Sequence, residues 1–251
     1  MKKRQYLPLM SRLSLNIDIQ RLKSEFDSNG FSDWNLYDGL KRGKASENGL
    51  VVRQILLSHF LSKGEDTSEG GEAYKMLCLT DYNGELDTTD LQLTDAAKLE
   101  RISDPNHPLY VPEADEKNYD KRNAYCKGYV SEVMDLIEEK VGHVTRTRYA
   151  VLMPGEEIKE HRDINTDKAI RIHIPLITDE NVMFGVRGKK TCVEQHLPAD
   201  GGVWFINQAY PHYVKNNSDK PRVHLVMSVV GQGMIEDGEC WYDSPELARV
   251  S

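Results

Sequence analysis

The segment 170–176 constrains the fold of this chain more than any other stretch, because Ile170, Ile172, Ile174 and Leu176 alternate there with Arg171, His173 and Pro175. Successive side chains of an extended strand point to opposite faces, so one face is apolar and the other carries a cation and an imidazole. The apolar face must be buried. The polar face then either meets solvent or lines a barrel interior, where a charge needs an anionic partner.

The same two-residue period runs through most of the C-terminal half. From residue 143 onward it replaces a helical pattern, and short apolar strands punctuated by turn residues follow at 148–153, 182–186, 191–196, 203–206 and 221–230. In the last of these, Arg222, His224, Val226 and Ser228 share one face. These segments predict a β core over 143–235, with a mixed α/β portion over 1–142 that packs on and covers it, and a tail over 236–251, all in one structural domain. In the N-terminal portion the spacing predicts a helix over 16–30, with Asn16 or Asp18 as N-cap, Ile19, Leu22 and Phe26 on its buried face, and Gly30 as its stop. A second helix is predicted over 128–142, burying Tyr129, Val133, Leu136, Ile137 and Val141, with Ser131 as its cap. Residues 74–79 read as a buried strand ending in an Asn83-Gly84 turn. The segment 50–60 fits helix or strand equally, and the polar, glycine-containing segment 63–72 is a candidate lid.

Composition narrows the function classes. Among 251 residues, 32 basic against 40 acidic side chains give a formal charge of -8, which opposes a dedicated nucleic-acid surface. No apolar run approaches the length of a membrane span. Four cysteines, Cys78, Cys126, Cys192 and Cys240, are widely spaced without a CxxC pair, which predicts reduced thiols and a cytoplasmic protein.

The chemistry concentrates in the β core. His161 and Asp163 stand two residues apart, so a strand directs both to one side and Arg162 to the other, while His212 lies about 50 residues downstream. Two imidazoles and a carboxylate form the ligand set of a non-haem iron site with open positions for a co-substrate and O2. Taken singly, the pair also fits a surface turn with a solvated aspartate, and His212 a capping or core histidine. Ten residues beyond His212 comes Arg222, on the polar face of its strand. A guanidinium in the same lumen can grip a distal carboxylate through two parallel hydrogen bonds, which lysine cannot reproduce. Arg148, Arg187 and the Lys189-Lys190 pair are candidates to meet a substrate carboxylate at the mouth.

From about 146 to 230 the sequence resembles the aspartyl/asparaginyl β-hydroxylase family of Fe(II)/2-oxoglutarate-dependent oxygenases, which includes bacterial hydroxylases of free proline. The resemblance rests on Pro154-Gly155, the His161 and Asp163 pair, Arg171-Ile172-His173-Ile174-Pro175-Leu176, Gly202-Val203-Trp204-Phe205, His212, Asn216 and Arg222-Val223-His224-Leu225. It implies a mainly β fold with flanking helices around a cupin-like double-stranded β-helix, or jelly roll. It also implies iron held by His161, Asp163 and His212, with Arg222 on the C5 carboxylate of 2-oxoglutarate and Arg171 and His173 assisting at the co-substrate. Animal aspartyl hydroxylases lack a carboxylate at the position of Asp163, so the full triad places this chain nearer the bacterial members. A strand serine that helps hold 2-oxoglutarate in the family corresponds to Ala150 here. The expected activity is hydroxylation of a C–H bond in a free amino acid or small derivative, consuming O2 and releasing succinate and CO2. Hydroxylation of an Asp, Asn or Pro side chain in an intracellular protein is the alternative substrate. A non-catalytic metal- or acid-binding jelly-roll sensor and a cupin-type isomerase are the alternatives from other classes.

Overall fold

A computed structural model describes residues 7–33, 74–81, 116–163, 166 and 169–230. The expected lid over 63–72, the segment 50–60, the Asn83-Gly84 turn and the tail over 236–251 lie outside the described residues. Among those described, twelve strands and two α-helices follow in the order β1 (Met10–Asn16), α1 (Ile19–Ser28), β2 (Tyr74–Cys78), β3 (Thr80–Asp81), β4 (Lys121–Arg122), α2 (Tyr129–Lys140), β5 (His143–Leu152), β6 (Glu157–His161), β7 (Ile170–Ile177), β8 (Val182–Arg187), β9 (Cys192–Gln195), β10 (Gly202–Ile206), β11 (His212–Asn216) and β12 (Arg222–Val230).

Strands β5 to β12 are the two arms of one long hairpin wound into a coil. Antiparallel pairs join β8 to β9, β7 to β10, β6 to β11 and β5 to β12, and further ladders between β12 and β7 and between β11 and β8 seal successive turns. The result is two facing antiparallel sheets. The larger has the order β1-β10-β7-β12-β5-β2 and the smaller β6-β11-β8-β9. This is the double-stranded β-helix that the family resemblance implies, built from the β core that the alternating pattern predicts. Strands β1 and β2, from the N-terminal portion, extend the two edges of the larger sheet.

The two faces of the larger sheet explain its sequence. Ile172, Ile174, Val223, Leu225, Met227 and Val229 pack outward with Leu22 and Phe26 of α1 and Val133, Met134 and Ile137 of α2 in one buried cluster. Ladder partners share a face, and the register sets Arg171 opposite Ser228, His173 opposite Val226, Ala150 opposite His224 and Leu152 opposite Arg222. Those residues therefore face the lumen, where a second apolar cluster of Leu152, Phe184, Val186, Trp204, Ile206 and Val214 fills the space between the sheets. Of the two readings left open for the polar face of β7, the lumen is the one realised.

Local rules govern the helices, with one correction. Asp18 caps α1, its Oδ1 accepting from Arg21 N at 3.0 Å, and Ile19, Leu22 and Phe26 are buried as the spacing predicts. Ser131 is not the cap of α2. The cap position is Gly128, in the left-handed region at φ 70°, and it has no side chain to offer. The carboxylate of Glu25 on α1 instead accepts from Tyr129 N, while Ser131 Oγ accepts from Arg122. The buried face of α2 is Val130, Val133, Met134 and Ile137, with Tyr129 and Leu136 only partly covered. Four strands were not foreseen: β1, the two-residue pair β3 and β4, and β11, which begins at His212 itself.

Candidate metal centre

His161 ends β6 and His212 begins β11, and the antiparallel ladder sets them directly opposite each other. Their rings lie 4.2 Å apart between centroids. Each ring is oriented by a carbonyl two residues earlier in its own chain. His161 Nδ1 donates to Lys159 O at 2.7 Å and His212 Nδ1 to Tyr210 O at 3.1 Å. A carbonyl only accepts, so Nδ1 carries a proton in each ring and Nε2 is left as the nitrogen turned to Asp163.

Asp163 follows β6 by two residues and is pinned by its own amide, which donates to Gln208 O at 3.1 Å. Arg162 between them is exposed. The carboxylate faces both imidazoles, with Oδ1 3.6 Å from His161 Nε2 and Oδ2 3.9 Å from His212 Nε2. One donor atom from each residue lies within 4.8 Å of the others. These separations exceed hydrogen-bond length. They are close to those of ligand atoms sharing one ion, since metal–ligand bonds of about 2.1 Å set neighbouring donors about 3 Å apart. Asp163 Oδ1 is buried and has no hydrogen-bond donor among the described residues.

Electrostatics favours the ligand forms. Burial acts to raise the carboxyl of Asp163, but His212, His161, Arg171 and Arg146 together overcome it and hold the group at about 2. Burial also pulls His212 down to about 4, against the attraction of Asp163. At neutral pH the site therefore holds an ionised carboxylate and a neutral imidazole at His212. Arg171 reaches Asp163 Oδ2 through Nη2 at 3.6 Å. The guanidinium is itself held by Gln208 Oε1 at 3.0 Å and by Ser228 Oγ. Gln208 thus grips Asp163 through its backbone and Arg171 through its side chain.

Deeper in the lumen the chain of contacts continues. The Phe184 ring lies parallel to His212 at 6.3 Å and edge-on to His173 at 5.3 Å, and His173 meets His224 at 5.7 Å. Arg222 Nη2 lies 2.8 Å from His224 Nδ1, and its guanidinium lies 5.9 Å from the Phe184 ring centre. Arg222 is 2 % exposed and has no carboxylate partner among the described residues. Burial lowers it to about 10, which leaves it charged at neutral pH. Burial, reinforced by Arg222, holds His173 and His224 neutral. Arg222 Nε, His224 Nε2 and both ring nitrogens of His173 are buried without hydrogen-bond partners among the described residues. Each unmade bond of this kind costs roughly 1–3 kcal/mol, so these groups favour a partner that bonds to them.

The structure thus brings His161, Asp163, His212 and Arg171 into one cluster and sets His173 and Arg222 in the adjoining pocket. Arg148 and Arg187 are placed differently from each other. Arg148, expected at the mouth, is 5 % exposed within β5, because its lumen-facing register turns it inward; Nη1 donates to Arg146 O at 2.8 Å and Nε approaches Met76 Sδ at 3.0 Å. Arg187 is exposed at the rim and pairs with Glu160 at 2.9 Å. Sequence reasoning missed Gln208, and it gave His224 and Phe184 no role. A glutamine in an irregular loop carries no signal of its own, whereas the position of His224 on the face of Arg222 did.

A double-stranded β-helix that brings two imidazoles and a carboxylate within 4.8 Å of one another has the donor set of a metal-binding jelly roll. Residues 109–231 match the family described as aspartyl/asparaginyl beta-hydroxylase. The matched segment is just under half of the chain and contains His161, Asp163, His212 and Arg222. Comparison with curated proteins found no match. Among solved structures, a deletion mutant of oxalate decarboxylase OxdC from Bacillus subtilis is 20% identical over 34% of this chain and 21% of its own, with a TM-score of 0.29. Oxalate oxidase bound to glycolate is 15% identical over 35% and 42%, at 0.28. Peruvianin-I, a cysteine peptidase from Thevetia peruviana latex, is 15% identical over 35% and 50%, at 0.29. This chain spans half or less of each of those proteins, and likenesses so slight define neither its fold nor its function. Among the described residues no helix is long and apolar enough to cross a membrane.

Proposed function

We propose that this chain is an Fe(II)/2-oxoglutarate-dependent dioxygenase that hydroxylates a C–H bond of a free amino acid or a small amino-acid derivative. The observation that carries the reading is the cluster of His161, Asp163 and His212, whose donor atoms converge within 4.8 Å at the meeting of β6 and β11. Its donor chemistry, two imidazoles and one ionised carboxylate, fits a divalent iron ion. Iron held there supplies, with O2 and 2-oxoglutarate, the oxidising power that converts the oxoacid to succinate and CO2 and delivers one oxygen atom to the substrate.

The protein's own contribution is position and dryness. The carbonyls of Lys159 and Tyr210 fix both histidine tautomers, and Arg171 fixes the Asp163 carboxylate. Arg222 is a buried cation at the lumen's inner end, suited to the distal carboxylate of 2-oxoglutarate. Phe184, Trp204, Val186 and Val214 keep the lumen apolar, which strengthens that attraction. At the rim, Arg187 adjoins His212, its amide donating to Pro211 O at 2.7 Å. With Lys189 and Lys190 in the following turn it gives the opening a basic edge that favours a substrate carboxylate. The free thiols of Cys78, Cys126 and Cys192 accord with a reducing, cytoplasmic setting.

The test is direct. The protein loaded with Fe(II) under air consumes 2-oxoglutarate and forms succinate, and an amino-acid panel read by mass spectrometry shows one member gaining a single oxygen. His161→Ala and Asp163→Ala each abolish succinate formation. Metal binding without 2-oxoglutarate turnover, or full turnover in either variant, overturns the proposal.

A further inference from the structure

The guanidinium of Arg171 is engaged by the protein on all three of its nitrogens. Nε donates to Gln208 Oε1 at 3.0 Å, Nη1 donates to Ser228 Oγ, and Nη2 faces Asp163 Oδ2 at 3.6 Å. Four separate parts of the fold meet there: Arg171 on β7, Ser228 opposite it on β12, Gln208 in the loop between β10 and β11, and Asp163 beyond the end of β6. A guanidinium receives a carboxylate side-on through the single hydrogen of Nε together with one Nη hydrogen. Gln208 takes that Nε hydrogen, which closes the side-on approach to an incoming acid. The same contacts fix the plane of the group and so the direction from which it meets Asp163. Asp163 needs such a bracket, because β6 ends at His161 and the backbone of Asp163 is tied to Gln208 O through its amide. Arg171 faces Oδ2, while Oδ1 is buried, has no hydrogen-bond donor among the described residues and lies 3.6 Å from His161 Nε2. Oδ1 is thus the oxygen left for an ion.

We infer that Arg171 is a positioning residue of the metal centre rather than a contact of the oxoacid, and that Ser228 acts through it. Gln208 and Ser228 set the guanidinium, and the guanidinium turns Asp163 so that Oδ1 meets the ion. This departs from the role that the family resemblance implies for Arg171, and it rests on the reading of His161, Asp163 and His212 as a metal site.

The experiment titrates the metal-free protein with Mn(II) in the unsubstituted chain, Arg171→Lys, Ser228→Ala and the double variant, and then measures 2-oxoglutarate binding to each Mn(II)-saturated protein by calorimetry. Arg171→Lys keeps the charge and loses the planar fork, and it weakens Mn(II) binding by roughly 10- to 100-fold, the range for outer partners of a ligand. Ser228→Ala weakens it by roughly 3- to 10-fold, the equivalent of one net hydrogen bond. That milder change keeps the test open should Arg171→Lys fold poorly. In the double variant the loss is no greater than in Arg171→Lys alone, because the serine has no other route to the ion. Affinity for 2-oxoglutarate stays within about twofold throughout, as for groups that share no partner. Unchanged Mn(II) affinity in Arg171→Lys, or a loss of 2-oxoglutarate affinity there, overturns the inference. Additive Mn(II) losses in the double variant overturn the route from Ser228. Failure of the unsubstituted protein to bind Mn(II) overturns the metal reading and this inference together, whereas Mn(II) binding without 2-oxoglutarate binding overturns the oxygenase reading alone.

Discussion

At the scale of single residues the proposed metal centre is braced by groups that are not among its candidate ligands. Gln208 holds Asp163 by its carbonyl and Arg171 by its side chain, and loss of such outer partners typically costs 10- to 100-fold in metal affinity or activity. Gln208→Ala keeps the backbone contact, so titration of the metal-free protein with Mn(II) should show a loss within that range. A larger loss is expected for Asp163→Ala, which deletes a ligand. Arg222→Lys keeps the charge but loses the planar fork. It should raise the KM for 2-oxoglutarate about tenfold or more with a smaller change in kcat, read by succinate formation. The candidate ligands were legible as a pair because residues two apart in extended chain share a side, although β6 ends at His161 and Asp163 is placed by its amide contact with Gln208 O; Arg222 stood out because it lies on the polar face of a strand with few other charges. Gln208 was not legible, because its role comes from a loop folding back on a strand nearly 40 residues earlier in the chain. Arg148 was misplaced at the mouth for a related reason. Its charge suggested solvent, whereas its register with Val226 turned it into the lumen.

At the scale of elements, what the sequence showed depended on how much of an element's reason lies within it. Helix α1 carries its own N-cap and apolar stripe, and both were read correctly. The start of α2 is held instead by Glu25 from another helix, which no reading of 128–142 could find. Glu25→Ala should therefore cost about 1 kcal/mol, the usual worth of a cap, measured by urea denaturation. Strand β1 went unread because Arg12 and the serines beside it interrupt its apolar pattern; its place is set by pairing with β10. At the same junction Gly201 adopts φ 88°, and an added Cβ would lie 2.3 Å from Ile17 O. Backbone cannot yield there as a flexible side chain does. Gly201→Ala should destabilise by roughly 1–3 kcal/mol and loosen β1 from the sheet edge.

At the scale of the whole molecule, the neutral lumen imposes a pH dependence on folding. Burial lowers His173, His212 and His224 below the ordinary value near 6.5, to about 4 for His212. Below pH 6.5 the unfolded chain therefore binds protons that the folded one refuses. The stabilisation from keeping these rings neutral is fully present above that pH and is lost as pH falls through the window toward the folded values. Urea unfolding of the metal-free protein between pH 7.5 and 5 should show stability falling as pH falls. His224→Gln should make that slope shallower by about one proton. The coiled hairpin has a further consequence, in the order of events during synthesis. His161 and His212 lie on opposite arms of that hairpin, joined only through the ladder between β6 and β11, and β5 completes its pairing with β12 at Val230. A chain still emerging from the ribosome can display His161 and Asp163 without being able to hold an ion between two histidines. If the cluster holds iron as proposed, metal capture waits for the second arm to zip, and an ion in the site marks a barrel that has closed.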